Sequence, residues 1–168
     1  MADKDALEYA RQLLSQATPL WKDCGSQCGG ACCLSDESGE NGMLLYPGED
    51  RYYAGCTWAR ILQTGEDSRL VCDGNCPREN RPLACRIFPL VILPMQEEKE
   101  IVANIVMDVR AWPVCPLMRF GEKGLRTDFV DAVQQAAAVL CKEDKLLQFL
   151  YRQAEQIHAY EQLKNAFQ

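Results

Sequence analysis

Ten cysteines in a chain of 168 residues constrain this sequence more than any other feature. Cysteines at this density indicate disulfide bonds or bound metal, and the redox compartment decides between the two. The N-terminal segment is acidic and amphipathic and lacks the basic and apolar regions of a signal peptide. No apolar run approaches the roughly 18 residues that a membrane span requires. We therefore expect a cytoplasmic protein without membrane association, whose cysteines persist as thiols or as metal ligands.

The composition bounds the number of domains and the class of partner. Apolar residues make up 48% of the chain and charged residues 25%, so a single domain over residues 1–168 can bury a hydrophobic core. The net charge is −6, whereas proteins that hold phosphate backbones present basic surfaces. We expect a metal ion as the partner and no nucleic acid. The sequence leaves any protein partner unknown.

Hydrophobic periodicity predicts helices at both ends of the chain. One helix is expected over residues 3–17, capped by Asp3 or Asp5. The C-terminal part, residues 124–165, predicts two helices that break near residues 142–144 and form an antiparallel pair. Their apolar faces contain Leu125, Phe129, Val133, Ala137 and Leu140 in the first helix, and Leu147, Leu150, Ala154, Ile157 and Tyr160 in the second.

The middle of the chain predicts short strands between irregular loops. Residues 35–42 are a polar surface loop in this interpretation. Strands are expected over 43–46, 60–63 and 69–72, and a β-hairpin over 90–93 and 101–109. The predicted fold is α+β: a small single domain with irregular cysteine-rich metal-binding loops, a small β-hairpin and a C-terminal helical pair. Its metal-binding core is expected at about residues 24–115.

Eight of the ten cysteines are candidate metal ligands. Thiolates bind zinc or iron–sulfur clusters at about 2.3 Å in tetrahedral geometry, and closely spaced cysteines on glycine-rich loops reach one metal with little distortion of the chain. Adjacent cysteines do not easily bind one ion, so of Cys32 and Cys33 either one is a core thiol or the two serve two metals. The candidate ligands are Cys24, Cys28, Cys32, Cys33, Cys72, Cys76, Cys85 and Cys115.

The arginines near the cysteines, the other two cysteines and the histidine restrict the kind of metal site that the sequence supports. Arginines at 78, 81 and 86 flank Cys76 and Cys85 and are expected to offset thiolate charge, or else to be solvated. Cys56 and Cys141 are expected to be small buried hydrophobic residues. His158, the only histidine, falls on the polar side of the last helix, so sites that need histidine ligands or a histidine base are unsupported.

Two strings within residues 24–89 resemble the YkgJ-like CxxCxxCC family of proposed zinc- or iron-chelating domains. The strings are CGGACC at residues 28–33 and CPRENRPLACRIFP at residues 76–89, and the second contains RPLACRIFP, which fits an RPxxCRxFP pattern without a gap. Cys72 fits the middle cysteine of the pattern. The first cysteines are separated by three residues where the family has two, which leaves open which of them share a metal. The resemblance implies thiolate metal binding and no particular activity.

Three functions follow from these patterns, and the sequence leaves open whether the protein is an enzyme. The first is a metal-binding protein that holds zinc or an iron–sulfur cluster through cysteine thiolates. The second is an iron–sulfur oxidoreductase or redox enzyme that uses the same thiolates. The third is a thiol redox switch without metal.

Overall fold

The computed structural model describes residues 5–34, 42–72, 74 and 76–166. Within these residues the chain forms five α-helices and two small antiparallel sheets, which confirms the predicted α+β class. The proposed cap Asp3 and nearly all of the predicted loop over 35–42 lie outside the described residues. No helix in the described part of the chain is long and apolar enough to cross a membrane.

The helices and strands alternate irregularly along the chain. The helices are α1 (Ala6–Leu13), α2 (Gly25–Cys28), α3 (Leu83–Ile87), α4 (Thr127–Leu140) and α5 (Asp144–Ala166). The strands are β1 (Met43–Leu45), β2 (Ala59–Thr64), β3 (Asp67–Cys72), β4 (Leu90–Glu97) and β5 (Glu100–Met107).

Helix α1 is shorter than predicted. The Asp5 carboxylate caps its start and accepts a hydrogen bond from the N–H of Leu7 at 3.0 Å. At the other end, the N–H of Ser15 bonds the carbonyl of Gln12, a tighter turn that ends the regular ladder. The helix therefore ends at Leu13 and not at residue 17.

The three-stranded sheet positions Cys72, one of the candidate ligands. Its order is β1-β3-β2, with both pairs antiparallel, so β3 is central. The strands β2 and β3 form a hairpin in register from Ala59 opposite Cys72 to Thr64 opposite Asp67, so each extends beyond its predicted range of 60–63 or 69–72. The sheet therefore holds Cys72 at the end of its central strand.

The second sheet is the hairpin of β4 and β5, and it supports the main core. Strand β4 continues past the predicted Leu93 to Glu97, because Pro94 stays in the strand opposite Ala103. Proline is tolerated there because each strand of a two-stranded sheet is an edge. Strand β5 begins one residue before its predicted start and ends at Met107, two residues before its predicted end. Helix α5 packs on β4, α4 packs on β5, and α1 packs on α4.

The buried faces of the C-terminal helices agree closely with the pattern in α4 and less closely in α5. All five predicted core residues of α4 and the segment before it are buried. In α5, Leu150, Ala154 and Ile157 are buried as predicted, but Tyr160 is 38% exposed, which corrects that assignment. The last turns of α5 are mostly exposed, so the apolar stripe ends before Tyr160.

Candidate metal-binding site

The first cysteines lie on two short turns separated by a pair of glycines. Cys24 precedes α2 with helical dihedral angles and Cys28 ends it, so the two residues are one helical turn apart, and the Cys28 Sγ lies 3.8 Å from the carbonyl oxygen of Cys24. Gly29 and Gly30 have φ of 64° and 68°, a region where a side chain would be strained. They turn the chain into a 3₁₀ turn at Ala31–Cys33.

The second group of cysteines meets the first across the loop that follows β3. A Cβ added to Gly74 would lie 3.5 Å from the carbonyl oxygen of Cys33, so Gly74, which falls between Cys72 and Cys76 in the chain, lies beside that residue. Cys85 lies in the middle of α3. Cys24 and Cys85 also line one small cavity of about 30 Å³ together with Arg81.

Cys115 reaches the site from the segment after the hairpin. It precedes a 3₁₀ turn at Pro116–Arg119, and its own N–H bonds the carbonyl of Ala111 at 2.8 Å. Burial raises the pKa of its thiol, whereas the backbone N–H groups of Leu117 and Met118 lower it by favouring the thiolate. The charge of Cys28 also raises this pKa.

Burial is the main cause of the raised pKa values of Cys85 and Cys76, and the charges of other thiols add to it. Burial raises the pKa of Cys85 well above its ordinary value, and the charges of Cys76, Cys33 and Cys72 add to that effect. The pKa of Cys76 is raised by burial and by Cys72 and Cys33. Electrostatic interactions thus link four thiols that come from three separate segments of the chain.

The adjacent pair Cys32 and Cys33 is held by a direct sulfur–sulfur contact of 3.9 Å. In this contact the Cys32 thiol favours the Cys33 thiolate, and it lowers the pKa of Cys33 to about 6 while the pKa of Cys32 rises. The charges of Cys85 and Cys24 also raise the pKa of Cys32. Cys32 therefore interacts with thiols of both cysteine groups, Cys24 in the first and Cys85 in the second.

Two of the three arginines join the two cysteine loops through one carboxylate. Arg78 and Arg81 bond the same Oδ1 of Asp23, at 3.0 Å and 3.2 Å. The charge of Arg81 adds to the lowering of the Cys33 pKa by Cys32, and it partly offsets the rise in pKa that burial causes at Cys24 and Cys76. Arg81 is thus a cation that favours the charged form of these three thiols.

Arg86 has a different role from the one predicted for it. Its guanidinium donates hydrogen bonds of 2.7 to 2.8 Å to three backbone carbonyls, those of Arg11, Glu79 and Arg81. It ties α3 to the end of α1 and to the loop before α3. Its contribution is to position the segment that carries Cys85.

Sequence reasoning missed the buried carboxylate that supports this segment. Glu49 is fully buried and pairs with Arg11, and it accepts hydrogen bonds from the N–H groups of Leu83 at 2.6 Å and Tyr46 at 3.1 Å. Leu83 is the first residue of α3, two positions before Cys85. Nothing in the sequence marks Glu49, because it follows a Pro-Gly turn in a charged segment that resembles a surface loop.

The other cysteines and the histidine lie apart from this site. Cys56 packs in the small cluster beneath the three-stranded sheet, with its Sγ 3.4 Å from the carbonyl oxygen of Ala59. Cys141 is buried in the main core at the end of α4, and His158 is exposed on α5. Cys141 and His158 agree with their predictions, whereas Cys56, which was predicted to be buried, is only partly buried.

In the described part of the chain the candidate thiols are not arranged as a coordination shell, because no three side chains of histidine, cysteine, aspartate or glutamate converge as a ready metal site. The sulfurs of Cys32 and Cys33 are in contact, at 3.9 Å.

No protein family model, curated protein or solved structure matches this chain. The resemblance to the YkgJ-like family therefore stays a prediction. The function has to be argued from the site itself.

Proposed function

We propose that this protein binds metal through cysteine thiolates, as zinc or as an iron–sulfur cluster, and that the metal holds its cysteine-rich loops in place. The observation that carries the proposal is the placement of the thiols. The eight predicted ligands come from four separate segments, and electrostatic interactions link all eight. Cys56 and Cys141, the two cysteines not predicted to be ligands, lie in apolar clusters instead.

The energetics of the loops support a structural role for the metal. No residue of α2 or of the turn at Ala31–Cys33 is buried, so apolar packing contributes little to holding this segment. Where a site does not exist in the unfolded chain, the free energy of metal binding is folding free energy. We therefore expect the loops to depend on metal while the helices and the hairpin depend on their core.

The electrostatic surroundings favour thiolates at this position. Four thiolates on one divalent ion carry a net charge of −2, which is costly to bury without donors and cations nearby. Arg81 supplies a cation beside three of the thiols, and the N–H groups of Leu117 and Met118 favour the thiolate of Cys115. Such outer contacts are what a thiolate site requires.

Metal and sulfide analysis of anaerobically purified protein, with a visible absorption spectrum, tests the proposal. A colourless protein with zinc and no labile sulfide supports a closed thiolate site, which has no open position for hydrolysis. A brown protein with iron and sulfide supports a cluster and makes an oxidoreductase the next hypothesis. Ten titratable thiols without metal overturn the proposal in favour of a thiol switch.

Cysteine variants locate the metal. We expect Cys76→Ser and Cys85→Ser to lose metal and solubility together, because each removes a ligand on which folding depends. Cys56→Ala and Cys141→Ala are matched controls, since each removes a thiol outside the site, and both should retain the metal of the unsubstituted protein. Retained metal and unchanged melting in the first two variants would contradict the assignment.

A further inference from the structure

We propose that Cys32 and Cys33 are the site at which a hydroperoxide oxidises this protein, and that their oxidation to a disulfide releases the bound metal. The inference rests on the proposed function and adds to it a modification site that regulates metal binding. It differs from a thiol switch without metal, because the two thiols serve as metal ligands until they are oxidised.

Cys32 is the cysteine that a dissolved oxidant reaches most easily. The structure describes all ten cysteines, and Cys32 alone is exposed, whereas Cys141 is buried and the other eight are partly buried. Oxidation of a thiol requires contact between its sulfur and the oxidant, so susceptibility follows exposure. The exposure of Cys32 therefore directs the first step of the reaction to this residue.

The thiol of Cys33 is in position to complete the reaction. Its sulfur lies 3.9 Å from the sulfur of Cys32, and the two residues are adjacent in the same 3₁₀ turn. Redox-sensitive cysteines are accessible to solvent and often lie beside a second thiol that resolves the first oxidation product. The exposed thiol and its neighbour have this arrangement.

The reaction is a two-electron oxidation of two thiols by one hydroperoxide. The Cys32 thiolate attacks the peroxide, so that a sulfur–oxygen bond forms, the oxygen–oxygen bond breaks, and an alcohol (water, for hydrogen peroxide) leaves. The Cys33 thiolate then attacks the sulfur of the Cys32 sulfenic acid, a sulfur–sulfur bond forms, and water leaves. Each leaving oxygen takes a proton from solvent. The peroxide is reduced and the two sulfurs are oxidised, while the metal ion keeps its oxidation state.

The backbone around the pair can change shape with little loss of packing. Gly30, with a φ of 68°, precedes the turn, and the exposed Leu34 follows it. Two backbone hydrogen bonds hold the turn, one from the N–H of Cys33 to the carbonyl of Gly30 at 2.7 Å and a longer one from Leu34 to Ala31 at 3.4 Å. No residue of the turn at Ala31–Cys33 is buried, so closing a bond between the two sulfurs costs little buried apolar surface.

Oxidation of the pair releases metal because a thiolate binds metal and a disulfide sulfur does not. Cys32 and Cys33 are two of the candidate ligands, so one disulfide removes both at once. A disulfide between adjacent residues is strained, and strained or exposed disulfides are reduced more readily than structural ones. A dithiol should therefore restore both thiols and the capacity to bind metal.

Differential alkylation of the zinc-loaded, full-length protein tests the reaction. One equivalent of hydrogen peroxide should remove two of the ten titratable thiols, and mass spectrometry should identify them as Cys32 and Cys33. Zinc release, followed with a chromogenic chelator, should accompany their loss, and dithiothreitol followed by zinc should reverse both changes. Earlier oxidation of other cysteines, a disulfide from Cys32 to another cysteine, or loss of the two thiols with all zinc retained would overturn the inference.

Single variants separate the roles of the two thiols. Cys33→Ser removes the resolving thiol, so the sulfenic acid of Cys32 should persist and form an adduct with dimedone. Cys56→Ser removes a partly buried thiol elsewhere and is the matched control, which should form a disulfide and no adduct, like the unsubstituted protein. Equal amounts of adduct in the two variants would show that Cys33 does not resolve Cys32. A protein that binds no zinc contradicts the proposed function, whereas the oxidation of Cys32 and Cys33 is measured from the thiols alone.

Discussion

Removal of the Glu49 carboxylate tests the link between the core and the segment that carries Cys85. The carboxylate is fully buried, it pairs with the nearly buried Arg11, and it satisfies two backbone N–H groups. Glu49→Ala leaves a guanidinium without its charge partner, and removal of one partner of a buried ion pair costs about 3–5 kcal/mol. The two N–H groups left without an acceptor increase the loss of folding free energy. The guanidinium of Arg11 remains over the ring of Tyr52, 4.3 Å from its centre, and this contact reduces the loss.

The expected loss is large enough to measure by thermal unfolding. For a domain of this size, 1 kcal/mol corresponds to a shift in Tm of roughly 2–4 °C, so Glu49→Ala should melt about 6–20 °C lower. Circular dichroism at saturating metal measures this shift. We also expect lower metal content, because the Glu49 carboxylate holds the first N–H of the helix that bears Cys85.

The matched control is the same substitution at an exposed ion pair. Glu66 is 83% exposed, and its carboxylate lies 3.9 Å from the guanidinium of Arg152. Exposed pairs contribute within about 1 kcal/mol, so Glu66→Ala should melt close to the unsubstituted protein. If Glu49→Ala melts as Glu66→Ala does, the buried pair is not a structural support and the reasoning fails.

Two further predictions concern the loop connections and the edge of the sheet. Asp23→Asn weakens the ion pairs that join the two cysteine loops, so metal should transfer to a chelator roughly twofold to fivefold faster. The exposed Asp131→Asn is the control. Equal transfer rates in the two variants would contradict the prediction. In Gly42→Ala, the added Cβ would lie 2.9 Å from the carbonyl carbon of Leu70 and closer still to its oxygen, so the strands must shift. This variant should lose about 1–3 kcal/mol in urea unfolding, and Gly25→Ala, which has room for the Cβ, should not.

Local patterns in the sequence determined most of the secondary structure. The spacing of Phe129, Val133 and Ala137 identifies a buried helix face because residues three and four apart share one side of a helix. The pair of strands around Gly65 is equally local, since a short turn sets its register. The pattern failed at Tyr160, where the helix continues past the core that would cover it.

The candidate ligands were also predicted from the sequence alone, together with the two cysteines that are not among them. Close spacing and glycine-rich surroundings separate Cys24 or Cys76 from Cys141, which lies on an apolar helix face. That prediction needs only the local chain, because two ligands on one tight loop are near each other in any fold. It says nothing about which distant loops meet.

Only the tertiary structure decided how the distant segments meet. Gly74 lies beside Cys33, and Cys24 lines one cavity with Cys85, because the fold brings separate loops to the turns around Gly29 and Gly30. The role of Glu49 in supporting the segment that carries Cys85 also depends on tertiary contacts. Its partners come from α1 and α3, and whether a carboxylate is solvated or buried depends on what packs over it, which no local pattern records.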